Sequence, residues 1–470
     1  MNEKANTLIE QFREQVYQSF TQCADALMDL MDALCSQTAA QSVAELSLEA
    51  CFRREYSSLY KAIDQFLVVA EEEIVEAVRG KKEKALLEII AGYVPMPEKQ
   101  AYWLLGTDAT PAPRQFARTV ADRGYVYYPN AVADNKPVTI GHQYVVSVHL
   151  PEREAEEPPW AVPLIARRVS SQEKEAEVGA ALLTMWMDDE TLPWHGDLCV
   201  HVGDSRYSTP EYLSVSGAYE NLVTVSRFRS NRTVHRQPKP EVCNTGGHPT
   251  WFGEAFRLLD PTTWHEADET LELPYQPYRE RVQVMHIQAW HDMLMRGKKN
   301  CPLHKYPFTL LRIQVLDPDG KPVFKPWWLI ISGHRRAELT LEQAYTTYDR
   351  RSDQEHFFRF AKQRLLLTRF QTPDLRREEN WWQIVQLAYT QLWLARPLAE
   401  NLPRPWERYL PRFQSDGPVS PSTVQRDFKR IIRQLGTPAA DPKPRGYSPG
   451  RPRGTRLPPR VRSPVVKKGA

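Results

Sequence analysis

Long hydrophobic runs are missing from this 470-residue chain, although 41% of it is hydrophobic. No apolar stretch reaches the ~20 residues that a membrane-crossing helix needs, so no membrane partner is expected. The N-terminal MNEKANTLIEQFREQV is polar and mixed in charge, unlike a secretory signal, and predicts a cytoplasmic protein. Cysteine is sparse. Cys23, Cys35, Cys51, Cys199, Cys243 and Cys301 are scattered and never form a C-x2-C pair. That argues against a disulfide framework and structural zinc, and fits a reducing compartment. There is no Gly-Lys-Ser/Thr phosphate loop, so no nucleotide cofactor is expected. Ser205 follows an aspartate but sits in no G-x-S-x-G elbow that would make it a nucleophile. No internal repeat is visible. An excess of one charge is also lacking: 61 basic and 58 acidic residues leave +3.

The distribution of charge says more than its total. After Asp441 the chain carries nine Lys or Arg residues and no further acid, punctuated throughout by Pro and Gly. Such a tail is expected to be cationic and disordered. Within it Pro449-Gly450-Arg451-Pro452-Arg453-Gly454 resembles the extended core of an AT-hook, which slides into narrow minor grooves. A plain basic tail touching phosphates is the alternative, and both point to nucleic acid.

Residues 1–98 read as helices, because FREQVYQSFTQCADALMDLMDALC and SSLYKAIDQFLVVAEEEIVEAVRGKKEKALLEIIAGY have helical apolar spacing and no internal Pro. Arg53, Arg54 and Arg79-Gly80-Lys81-Lys82 supply basic patches there, suited to binding DNA ends or simply to a solvated bundle. The pattern changes at Ala101. AYWLLGTDAT, KPVTIGHQYVVSVHL, WAVPLIARRVS, DLCVHVGDS and NLVTVSRFRSN read as strands. From 205 to 310 the chain is β-leaning and irregular; KPWWLIISG is a last strand, and ENWWQIVQLAYTQLWLA a helix. His142 and His195 read as structural more readily than as ligands of metal or phosphate.

Two acids are expected at strand ends, Asp108 in LLGTDATP and Asp204 in VHVGDSRYST. Strand ends collect polar chemistry because the apolar run fixes the carboxylate on a rigid support. A third acid, Glu355, lies in LEQAYTTYDRRSDQEHFFRFAKQRLLLTRF, read as one long helix for its lack of Gly and Pro. At about 100° per residue Tyr348, Arg351, Glu355 and Lys362 fall within roughly 60° of one another, with Phe357, Phe360 and Ala361 opposite. Four such fixed positions would arise by chance in a 470-residue chain with probability on the order of 10⁻³. Asp, Asp on strands and then Glu on a later helix is the order of an RNase H-like nuclease core, which holds two hard divalent ions.

The Y-x2-R-x3-E-x6-K spacing resembles the signature of bacterial insertion-sequence DDE transposases, the group of insertion sequence four and its relatives. LLGTDATPAPR, GDSRYSTPEYL and NLVTVSRFRSNR are similar to the segments that carry the first Asp, the second Asp and the following basic strand. The resemblance implies an α/β fold: an RNase H-like mixed-sheet core with a β-rich insertion, an N-terminal helical domain and a disordered basic tail. The divisions are 1–98, 99–204, 205–310, 311–410 and 411–470. Asp108, Asp204 and Glu355 become the catalytic triad, holding two Mg²⁺ or Mn²⁺ ions. Tyr348, Arg351 and Lys362 become phosphate contacts, and Arg227, Arg229, Arg232, Arg451 and Arg453 further DNA contacts. Trp264, ahead of Trp251 and Trp290, is the candidate on which a flipped base would stack. The implied activity is cut-and-paste transposition on double-stranded DNA, at terminal inverted repeats and target, by a homodimer, with the helix around Trp381–Leu394 either an interface or, more plainly, a core helix. A domesticated DNA-binding derivative, or an RNase H-like nuclease that does not transpose, would share most of these features.

Overall fold

In a computed structural model the chain is described at all residues except 1, 67–74, 129–136, 155, 240–250, 276–282, 408, 411–417, 445–449, 451, 457 and 468–470, and the side chains of 2 and 75–79. Helices α1 (Asn2–Ser19), α2 (Ala24–Ser36), α3 (Tyr56–Gln65) and α4 (Val75–Ala91) come first. Strands β1 (Trp103–Pro113), β2 (Gly124–Tyr127), β3 (Val138–His149) and β4 (Val162–Val169) follow. Then come helix α5 (Glu175–Met187), strand β5 (Cys199–Gly203), helix α6 (Pro210–Ser216) and strand β6 (Leu222–Phe228). Strands β7 (Thr233–His235), β8 (Ala255–Arg257), β9 (Glu269–Tyr275), β10 (Gln283–Met293), β11 (Phe308–Leu316) and β12 (Trp327–Ser332) complete the β portion. Helices α7 (Leu341–Asp349), α8 (Ser352–Arg364), α9 (Leu375–Ala395) and α10 (Pro421–Leu435) close the chain. No helix among the described residues is long and apolar enough to cross a membrane.

The chain forms two compact units, one of Met1–Pro95, Ala109–Lys174 and Glu355–Ala470, the other of Met96–Asp108 and Glu175–Gln354. In the second, β1, β5 and β6 run parallel, and β12, β11, β10 and β9 extend the sheet in antiparallel fashion from β6. The β-branched, fully buried β5 (CVHVG) is what a central parallel strand requires, covered on both faces. In the first unit β2, β3 and β4 form an antiparallel meander, and Arg114 N–H at the end of β1 donates to Ile140 C=O at 2.8 Å. This α/β arrangement with a large mixed sheet is RNase H-like.

Several expectations need correction. β1 does not stop at Asp108 but continues through Pro113, because its later residues gain a neighbour in β3. β6, which follows residue 205, pairs with β5 from Cys199↔Leu222 to Gly203↔Ser226 and lies in the same sheet. The single long helix is two, α7 and α8. Arg350 and Arg351 form a turn between them, tightened by i→i+3 bonds from Arg351 N to Tyr348 O and Gln354 N to Arg351 O. The buried Asp353 carboxylate takes the Arg350 guanidinium at 2.8 Å and pins that turn. Leu366, at φ 55°, lies just past the end of α8, short of the expected Phe370.

The N-terminal helices do not stand alone. Arg13 of α1, buried, pairs with Asp32 of α2 and donates to Gln391 of α9 at 2.9 Å, so the first 95 residues share a core with α9. Arg53 and Arg54, expected as basic patches, pair with Asp29. α9 is buried from Glu378 to Ala395 and is a core helix, with no face left for a dimer interface. Part of the tail is docked: Ser463 N–H donates to Arg118 C=O at 3.0 Å and Val466 N–H to Arg123 C=O at 2.7 Å.

Candidate active site

The parallel register pairs Thr107 with Gly203, so Asp108, next on β1, and Asp204, directly after the end of β5, emerge side by side. Adjacent strands lie about 4.8 Å apart, which places the two acids as neighbours. Asp108 is nearly buried, at 9% exposure, while the Asp204 side chain is one-quarter exposed. Two carboxylates this close repel one another, and cations meet both. Arg351 Nη1 donates to Asp108 Oδ2 at 2.9 Å. Arg206 donates to Asp204 Oδ1 through its backbone N–H at 2.8 Å and pairs with Glu175 of α5 at 2.5 Å. The Y-R-E-K segment is thereby tied to the first aspartate by a direct ion pair.

Tyr348 and Arg227 reinforce that corner. The Arg351 guanidinium lies 5.9 Å from the centre of the Tyr348 ring. Burial pushes the Tyr348 phenol up, while the positive charges of Arg351 and Arg227 pull it down. Arg227 is exposed on β6, opposite Leu329. Arg229 Nε donates to Ser205 Oγ at 3.3 Å, beside Asp204; Arg232, half-buried, lies in the exit from that strand.

Tyr207 was not among the expected residues. Its ring lies against Gly203 and Gly179, where any Cβ would come within 2.5–2.9 Å of it. Its hydroxyl is buried and has no hydrogen-bond partner among the described residues. Burial pushes it well above its ordinary range, and the charges of Asp108 and Asp204 push the same way. The glycine at 203, directly before Asp204, is the sequence signal that could have revealed this packing. His201 on β5 touches Tyr212 Oη and is pushed down to about 3 by burial, so it is neutral and outside the proton chemistry.

The other unit holds Glu355 and Lys362 on α8. Glu355 is exposed, and Phe357, Phe360 and Ala361 are buried on the other side of the helix, as its periodicity predicts. Lys362 Nζ donates to Thr110 Oγ1 at 2.6 Å. Asp108 and Asp204 offer the hard oxygen donors that a divalent cation takes. Among the described residues no group of three or more His, Cys, Asp or Glu side chains is arranged to hold a metal ion.

The tryptophans separate by burial. Trp290, 1% exposed, is core, packed with Phe256 and Trp328, and cannot stack a base. Trp264 is half-buried, parallel to Phe256 at 5.9 Å, beneath the Arg312 guanidinium at 5.2 Å, with Nε1 donating to Arg257 C=O. Trp251 is the most exposed of the three, at 43%, and stacks on His304 at 4.0 Å. Arg453 is exposed in the tail, and Arg451 lies outside the described residues. His142, buried, bonds Glu378 and is structural.

Asp108 within β1 and Asp204 directly after the parallel strand β5 thus stand on one mixed sheet, met by Arg351 and Arg206. The chain belongs to the family of DDE superfamily endonucleases, whose match spans residues 15–297. That span contains Asp108 and Asp204 and ends before α7. Membership implies a DNA substrate, and enzymes of this superfamily use divalent metal ions, typically Mg²⁺. No curated protein matches the chain.

Proposed function

We propose that the chain is a transposase of the insertion-sequence-four-like superfamily, which cleaves DNA at terminal inverted repeats and joins the freed ends to a target. The observation that carries this reading is the 2.9 Å ion pair between Arg351, the arginine of the Y-R-E-K signature, and Asp108, which neighbours Asp204. A signature that arose by chance on a solvated helix would have no reason to meet a strand-borne acid. Asp108, Asp204 and Glu355 would hold two Mg²⁺ or Mn²⁺ ions, Glu355 being four residues after Arg351 in the signature. Such ions lower the pKa of an attacking water or 3′-hydroxyl and stabilise the leaving oxygen.

The chain's own groups do the rest. Arg351 neutralises Asp108 and, with Tyr348 and Arg227, offers donors to phosphate oxygens of the scissile strand. Lys362, Arg229 and Arg232 contact the flanking backbone, and Arg451 and Arg453 of the tail add electrostatic attraction to duplex DNA. Trp264 would stack a displaced base. A homodimer would bring two ends together, in the cytoplasm at the nucleoid.

The test is metal-dependent nicking of a duplex carrying the sequence that flanks the reading frame. Asp108→Asn, Asp204→Asn and Glu355→Gln are each expected to abolish cleavage while leaving DNA affinity within a few fold. Cleavage that survives one substitution removes that residue from the site. Survival of both aspartate variants would overturn the reading.

A further inference from the structure

We propose that a groove in the unit of Glu355 binds an unpaired DNA strand, with Phe116 and Tyr128 stacking its bases and Arg359, Lys362 and Arg369 holding its phosphates. The inference rests on the DNA-cleaving reading above and adds to it a substrate feature, single-strandedness next to the duplex.

The groove has a volume of about 880 Å³, and its walls come from the end of β1, the segment before β2, α8 and the turn after α8. The described residues that line it include three cations and no carboxylate. That imbalance is unusual in a chain with 61 basic and 58 acidic residues, and it selects a polyanion. Aromatics separate a single strand from a duplex as the occupant. Phe116 is 85% exposed and Tyr128 41% exposed, so neither contributes much to a core. Tyr125 and Tyr127, on the outward face of β2 beside them, are exposed as well. Cations with accessible rings are the composition of single-strand binding surfaces, where every base offers a face to stack.

Position ties the groove to the chemistry. Glu355, Arg359 and Lys362 are spaced i, i+4, i+7 on α8 and fall within roughly 60° of one another, so the groove begins one turn from the proposed metal ligand. It is also rigidly built. Gln371 Nε2 donates to both Pro113 C=O (3.3 Å) and Thr368 C=O (3.1 Å), joining two walls. Arg114, fully buried, donates to the same Thr368 C=O at 3.1 Å while paired with Glu378 at 2.9 Å. A preformed groove gives up little entropy when a flexible strand enters it.

The experiment measures binding of the full chain, in EDTA, to a duplex with a short single-stranded extension carrying 2-aminopurine, and to the same duplex made blunt. The wild type is expected to prefer the extended probe and to change its 2-aminopurine fluorescence on binding. Phe116→Ala and Tyr128→Ala should each weaken the extended probe about tenfold and leave the blunt one alone. Arg359→Ala and Arg369→Ala should reduce the salt dependence for the extended probe by about one phosphate contact each. Equal affinity of the wild type for both probes, or aromatic variants that bind both as the wild type does, would overturn the groove. Nicking by the same preparations with Mn²⁺ separates the two failures: cleavage with no strand preference sinks the groove alone, whereas loss of all metal-dependent cleavage in the wild type sinks the transposase reading.

Discussion

Glu378 at the start of α9 is the anchor whose loss should be most costly to the unit that holds Glu355. It is fully buried and accepts hydrogen bonds from Arg114 Nε at 2.9 Å, His142 Nδ1 at 3.0 Å and Tyr144 Oη at 3.1 Å. Burial alone would push its carboxyl up. The Arg114 charge and the His142 contact outweigh burial and hold it down at about 2, against an ordinary 4.5. That displacement corresponds to about 3 kcal/mol of native-state stabilisation. Glu378→Gln keeps the shape, turns an acceptor into a donor facing other donors, and strands the Arg114 guanidinium, whose Nη2 already has no hydrogen-bond partner among the described residues. Breaking a buried pair from one side costs about 3–5 kcal/mol, much of the typical ~5–15 kcal/mol of a folded unit. Urea unfolding followed by tryptophan fluorescence is the assay, because Trp382 stacks on Tyr144 at 3.8 Å and reports on this site directly. Since the folded pKa is depressed, the contribution is fully present above about pH 4.5 and fades as pH falls towards about 2. The difference between wild type and Glu378→Gln should therefore be constant near neutrality and shrink in acid, with the other carboxylates cancelling. A difference below about 1 kcal/mol at pH 7, or one that does not shrink between pH 5 and 2.5, would refute the reasoning.

Arg351→Ala removes the cation that occupies Asp108, so Mn²⁺ binding, read by electron paramagnetic resonance, should tighten while cleavage falls; unchanged metal affinity would show that the pair does not compete with metal. Gly203→Ala drives a methyl into the Tyr207 ring, and should cost about 1–3 kcal/mol in an unfolding titration. An unaffected Gly203→Ala variant would mean that the ring is free to move. Chelation with EDTA is expected to abolish cleavage and spare DNA binding measured by electrophoretic shift, and metal-independent nicking would contradict the two-ion chemistry.

Much of this was legible in the residues themselves. The strands, the apolar face of α8 with Phe357 and Ala361, and the placement of Asp204 directly after β5 follow from local periodicity and composition, which dictate element type within a few residues. The family of DDE endonucleases was legible as well, since LLGTDATPAPR and GDSRYSTPEYL are local segments and lie within the matched residues 15–297. Tertiary structure decided what depends on which segments become neighbours. Only the register of β1 on β5 brings Asp108 beside Asp204, and only the folded chain sets Arg351 against Asp108 across 243 positions of sequence. The turn at Arg350 and Arg351 depends on the buried carboxylate of Asp353, which no helical period reveals. Trp290 and Trp251 look alike as letters, and packing alone made one core and left the other exposed. Arg53 and Arg54 read equally as a DNA-binding patch or as part of a plain bundle until the fold paired both with Asp29 and joined Arg13 to Gln391 of α9. The division is physical: propensity and periodicity act over a few residues, whereas pairing, burial and charge compensation are settled by contacts between residues far apart in the chain.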